Sequence, residues 1–224
     1  VPQAGDRKRE RWRPPRGRHR LPPEVIARSQ RDRLLDAAIE VVAAKGYGAT
    51  TVAELTREAG ISRTTFYEMF EDKEGCFLAA YDAMVDALVR RVSAAYEAEE
   101  GWPRRARAGL AALLEALAEE PEMARLALVD ASAAGPAAQR RYRNALQRLT
   151  PFFDEGRDFA PGGRNLPPNT SRMAIGAVAG LISDELAAGR ADKLPSLLSD
   201  VLFATLVPYI GPAAAAREVG ETEQ

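Results

Sequence analysis

The chain has 224 residues, 46% apolar and 28% charged, with a formal net charge of −1, which is the composition of a globular protein able to bury a core in one or two domains. A single cysteine, Cys76, excludes an internal disulfide or a cysteine-based metal cluster, and the single histidine, His19, lies in a polar tail, against a catalytic triad or a multi-histidine metal site. No apolar run of the roughly 18 residues needed for a membrane span is read, and no apolar stretch of a secretory signal follows the basic N-terminus, so a cytoplasmic protein without membrane partner, metal or cofactor is expected.

Residues 1–27 read as a basic, largely disordered arm. Arg7, Lys8, Arg9, Arg11, Arg13, Arg16, Arg18 and Arg20 stand against only Asp6 and Glu10, and prolines interrupt the stretch. Such an arm is either a solvated tail or a minor-groove contact. No strand pattern follows; Ala, Leu, Arg and Glu dominate, and Pro and Gly divide the chain into helices. The first helix is expected from about Ser29 to Lys45, with Leu34, Leu35, Ala38, Ile39 and Val42 on one stripe and Gly46 after its end. Thr51 and Glu54 have the spacing of a capping box at the start of a second helix. Gly60 ends it, Ser62 opens a third helix over Arg63–Phe70, and Asp72 caps a fourth running from Lys73 to about Glu97.

Beyond Gly101 two helices are expected on either side of Pro121, then one over residues 137–159 that Pro151 kinks, then a loop over 160–169. Two strongly apolar helices follow, and residues 213–224 read as a flexible tail. The fold class expected is all-α: a three-helix helix-turn-helix unit at 28–74 and a larger helical bundle for effector binding and dimerisation at 75–212.

At 100° per residue, Phe66 and Phe70 point to one side of the third helix and Thr64 and Glu68 to the other, with Thr65 and Tyr67 on the flanks. A glycine turn followed by a helix with such a polar face matches a helix-turn-helix, whose second helix enters the major groove. Threonine can meet bases or a thymine methyl, arginine guanine or phosphate, and glutamate the amino group of cytosine. Any three-helix unit also has a polar outer face, and this one is more acidic than basic.

Residues 33–82, RLLDAAIEVVAAKGYGATTVAELTREAGISRTTFYEMFEDKEGCFLAAYD, resemble the N-terminal DNA-binding domain of the TetR family of transcriptional regulators. The likeness rests on Lys45-Gly46-Tyr47, Thr50-Thr51-Val52, Ala59-Gly60-Ile61-Ser62, Thr65-Phe66-Tyr67 with Phe70, and Lys73-Glu74. It implies an all-α homodimer on a palindromic operator, most often a repressor, with a small-molecule effector bound in the C-terminal domain. By this resemblance Arg63, Thr64, Thr65 and Glu68 face the groove, and Thr51, Tyr67 and Lys73 contact phosphates of the double-stranded DNA. Met69 departs from the family pattern, in which a polar residue often precedes the phenylalanine.

In the C-terminal half, Met84, Leu88, Trp102, Leu110, Leu113, Leu114, Leu117, Met123, Leu126, Phe152 and Phe153 are candidates for an effector pocket, with plain core as the alternative for each. Asp130 lies in an apolar run, where an unpaired carboxylate is costly, and is expected to pair with Arg125 or Arg143, with orienting a polar ligand group as the alternative. Ile175, Val178, Leu181, Ile182, Leu198, Val201 and Leu202 form matching apolar stripes, read as ordinary core or as a four-helix dimer interface. The competing readings are a constitutive DNA-binding dimer, a transcriptional activator, a helical adaptor, and an enzyme. The last finds no nucleophile–base pair and no phosphate loop to support it.

Overall fold

The computed structural model describes residues 22–130, 135–161 and 163–220. The basic stretch from Arg7 to Arg20, and His19 with it, lies outside the described residues, as does the end of the chain after Gly220.

The described residues form helices joined by turns and loops and contain no strand. Helix α1 (Pro23–Lys45) begins earlier than Ser29 because Pro23 occupies its first position, where a missing N–H is harmless. Helices α2 (Val52–Ala59) and α3 (Arg63–Met69) are joined through Gly60, which takes the left-handed conformation (φ 64°). Helix α4 (Lys73–Glu97) is the long connecting element. The first core gathers Leu34, Ala38 and Val42 of α1, Leu55 and Ala59 of α2, Phe66 of α3, and Cys76, Phe77 and Ala80 of α4. It therefore does not stop at residue 74. It also takes in Leu126 and Ala138 from the second half of the chain.

Helix α5 (Trp102–Glu119) packs along α4. Helix α6 (Pro121–Arg125) runs into a π-helical turn, Leu126–Asp130. The single helix expected over 137–159 is two: α7 (Pro136–Gln147) and α8 (Thr150–Phe159). Pro151 does not kink a helix but stands in the first turn of α8, where its fixed φ suits the geometry. Helix α9 (Thr170–Ala187) is followed by a 3₁₀ segment (Ala191–Leu197), then α10 (Leu198–Ile210). Residues Pro212–Gly220 form helix α11, where the sequence suggests a flexible tail. Ala215 is buried and the Arg107 guanidinium donates to the Glu218 carbonyl. The second core joins Trp102, Leu110, Leu114, Ile182, Leu194, Val201, Leu202 and Leu206.

Against the expectation of no such run, the stretch Ala191–Ile210 is by length and composition long and apolar enough to cross a membrane. It packs on α5 and sends Leu194, Val201 and Leu206 into the second core. Only 33% of its most apolar window is buried, which leaves an apolar outer face.

Candidate functional site

The helix-turn-helix is fixed by local capping. Thr51 caps α2 with a complete capping box, its amide and hydroxyl donating to Glu54 Oε2 at 3.0 and 2.7 Å. The Lys45 ammonium pairs with the same carboxylate. The Lys45 hydrogen bond, then that of Thr51, hold the Glu54 carboxyl at about 2, below the usual range. Ser62 caps α3 by accepting from the Thr65 amide at 3.0 Å, and Asp72 caps α4 by accepting from the Gly75 amide at 2.8 Å.

On α3, Arg63, Thr64, Tyr67 and Glu68 are exposed together, Tyr67 at 59% although its ring rests edge-on against Phe66. Thr65 is half-buried, with its hydroxyl 2.9 Å from that of Ser62. Met69 packs on the first core, which explains an apolar residue at that place. Two expected phosphate contacts are placed differently. Both donors of Thr51 are taken by Glu54. The Lys73 ammonium donates to the carbonyls of Thr50 (2.9 Å), Tyr47 (3.2 Å) and Gly48 (3.4 Å) and sits 4.7 Å from the centre of the Tyr47 ring. An ammonium has three protons, and here each has an acceptor.

An apolar cavity of about 100 Å³ lies between α4, α5, α7, α8 and α9. Of the candidate pocket residues, Leu88, Leu110, Leu113, Leu117, Phe152 and Phe153 line it. Trp102, Leu114 and Leu126 do not: they are fully buried core residues, Trp102 held by donating to the Phe152 carbonyl at 2.8 Å. Met84 and Met123 pack on the first core instead. The missed lining residues Tyr81, Val85 and Val92 share one face of α4 with Leu88, at helical spacing, and this stripe was the available signal. From α7 come Tyr142, Ala145 and Leu146. Burial pushes the Tyr81 and Tyr96 phenols up, and for Tyr96 the Glu155 carboxylate adds to it. Helix α7 is tied to α4 by Arg141–Asp82 and Arg148–Asp86, both at 2.6 Å. Asp130 pairs with Arg125 at 3.5 Å, but as a half-exposed pair rather than a buried one.

Of the expected interface residues, Ile175, Val178, Ile182, Val201 and Leu202 are buried within the chain itself, so they cannot face a second copy; Leu181 and Leu198 are half-buried. The outward face of α9 and α10 carries Met173 (62% exposed), Gly176, Ala177, Gly180, Phe203 and Ala204. Both glycines open onto empty space.

Residues 34–80 match the family model described as bacterial regulatory proteins, tetR family. The chain is 28% identical over 166 residues to the transcriptional activator FasR of Mycolicibacterium smegmatis, covering 74% of each chain. It is 31% identical over 74 residues to the HTH-type regulator YerO of Bacillus subtilis, covering 33% of this chain but only 26% of that protein. The fold resembles that of FadR from Bacillus subtilis, solved in complex with stearoyl-CoA, with a TM-score of 0.66 at 17% identity over 79% of this chain and 98% of that one. Residues 34–80 are therefore a DNA-binding helix-turn-helix domain of the tetR type, in a chain that is similar over most of its length to a transcriptional regulator.

Proposed function

We propose that the protein is a ligand-responsive repressor that binds a palindromic operator as a homodimer and is released by an apolar effector. The observation that carries this reading is the π-helical turn Leu126–Asp130. Leu126 is buried in the core of the DNA-binding domain, while its neighbours Ala127 and Leu128 line the cavity. The Tyr81 hydroxyl, itself on the cavity wall, donates to the Ala127 carbonyl at 3.1 Å. A ligand that enlarges the cavity therefore pushes on a segment whose preceding side chain, Leu126, is buried in the first core. Ligand and operator then favour different arrangements of the same elements, which is a population shift. The stearoyl-CoA complex of the structurally similar FadR supports a long apolar chain as ligand class. Such a chain needs the cavity to widen, since pockets for sizeable ligands run to roughly 300 Å³ or more.

At the DNA, Arg63, Thr64, Thr65 and Glu68 read the groove and Tyr67 donates to a phosphate. The Val52 and Ala53 amides in the first turn of α2, beyond the Glu54 amide that the capping box already satisfies, add to the backbone contact. The outward face of α9 and α10 forms the dimer, which places two recognition helices about 34–36 Å apart or at a multiple of it. The test is selection of bound fragments from genomic DNA, followed by titration of the complex with stearoyl-CoA. A palindrome released by the ligand is the expected result; a palindrome bound equally with and without it refutes ligand control. A second reading, activation, is favoured by the similarity to the activator FasR over most of the chain. A reporter with the operator upstream of the promoter separates the two.

A further inference from the structure

We propose that Lys73 is a positioning residue for DNA binding: it fixes where α2 begins, and does not itself hold a phosphate. Its place in the sequence is unfavourable for its own helix. Lys73 is the first residue of a 25-residue helix, where the macrodipole disfavours a cation and favours the acids Asp72 and Glu74 beside it. Its side chain serves another element. The turn before α2 starts at Gly46 (φ 84°) and closes with the Thr50 amide donating to the Tyr47 carbonyl at 3.2 Å. The buried Thr50 hydroxyl donates back to the Gly46 carbonyl at 3.0 Å.

This leaves the carbonyls of Tyr47, Gly48 and Thr50 converging on one point, where three negative dipole ends repel each other. The Lys73 ammonium occupies that point, with the Tyr47 ring on one side. The residue after Thr50 is Thr51, the N-cap of α2. One ammonium thus ties the start of α4 to the start of α2, and α3 lies between them in the chain. The orientation of the α2 amides toward the DNA backbone is set by a charge that never meets the DNA.

The inference rests on the reading that the N-terminus of α2 meets a phosphate. The experiment compares the full-length protein with Lys73→Met and Lys73→Arg on a duplex selected from random DNA with the wild type, at several salt concentrations, well below each protein's unfolding temperature. A phosphate ligand releases counterions, so its loss lowers the slope of log K against log salt by about 0.9 per half-site. A positioning residue weakens binding without changing that slope. The expected result is a loss of about tenfold or more at every salt concentration for Lys73→Met, with the wild-type slope kept. Lys73→Arg is expected to restore little, because a planar guanidinium does not reproduce the compact three-way donor.

A reduced slope, unchanged affinity in Lys73→Met, or full rescue by Lys73→Arg each overturns the proposal. Absence of any bound duplex for the wild type overturns the DNA-binding reading along with it. Should Lys73→Met fail to fold, the ammonium resonance of Lys73 in the wild type decides. Its staying unchanged on addition of duplex supports the proposal, and its shift to a phosphate-bound state refutes it.

Discussion

Ala179→Leu tests whether the space between α4, α5 and α9 is an unfilled cavity. Ala179 lies on α9, is buried, and lines it. Unfilled apolar space weakens a folded protein by about 24 cal/mol per Å³, so the cavity of about 100 Å³ costs up to about 2.4 kcal/mol. The exchange adds three carbons, and at about 0.8 kcal/mol per buried carbon the gain has the same size. Both residues are strong helix formers, so the helix itself is little perturbed. A stabilisation of about 2 kcal/mol corresponds to a Tm increase of roughly 4–8 °C for a chain of this size. Thermal unfolding followed by circular dichroism measures it. A Tm that falls, as overpacking by about 1–3 kcal/mol would make it, would show that no usable space exists and would remove the effector site from the reading.

Gly156→Ala should destabilise by about 1–3 kcal/mol in thermal unfolding, because a Cβ there would stand 2.5 Å from Trp102 Cζ2 and 2.7 Å from its Cη2. The Trp102 ring cannot retreat easily, being packed 4.8 Å from the Tyr209 ring centre and hydrogen-bonded to the Phe152 carbonyl. Glu54 has a carboxyl held at about 2, so its contribution to stability is complete above the ordinary carboxylate range and disappears as the pH falls through about 2. Acid titration should therefore separate the wild type from Glu54→Gln at pH 5 and bring the two together at the acid end. Cys76 is fully buried in the first core, and burial pushes its thiol up to about 12. Iodoacetamide at pH 8 should leave it unmodified in the native protein and alkylate it once denaturant is added.

Local chemistry made the first half of the chain legible. The Thr51–Glu54 box, the left-handed Gly60 and the Asp72 cap act over three residues, so spacing alone places α2, α3 and the start of α4. Lys73 could not be read in this way, because its acceptors lie 23 to 26 residues upstream and only the folded turn brings their carbonyls together. The stripe pairing α9 with α10 was legible as apolar but not as to side. Both faces of α9 carry apolar or small residues, Ile175, Val178 and Ile182 on one and Met173, Gly176 and Gly180 on the other. The larger, branched set fills the core, and the small-residue set is left outward. The π-helical turn had no signature within LALVDASAA, since a hydrophobic run of that length suits an ordinary helix equally well.

Under the proposed ligand control, that turn also sets the scale of the response. Helix α4 runs through both halves, with Phe77 in the first core, Tyr81 at the cavity wall and Tyr96 in the second core. A ligand shifts an equilibrium only by the difference in its affinity for the two states. A tenfold loss of operator affinity needs a difference of about 1.4 kcal/mol. The Tyr81–Ala127 hydrogen bond is buried, and such a bond contributes about 0.5–1.5 kcal/mol net. Breaking it therefore matches the energy that a tenfold response requires, without a large rearrangement of either core. Because Leu126 precedes the acceptor residue and is fully buried in the first core, the same displacement would reach the DNA-binding domain directly. The proposed coupling would need no longer path than two consecutive residues, one lining the cavity and one buried in the first core.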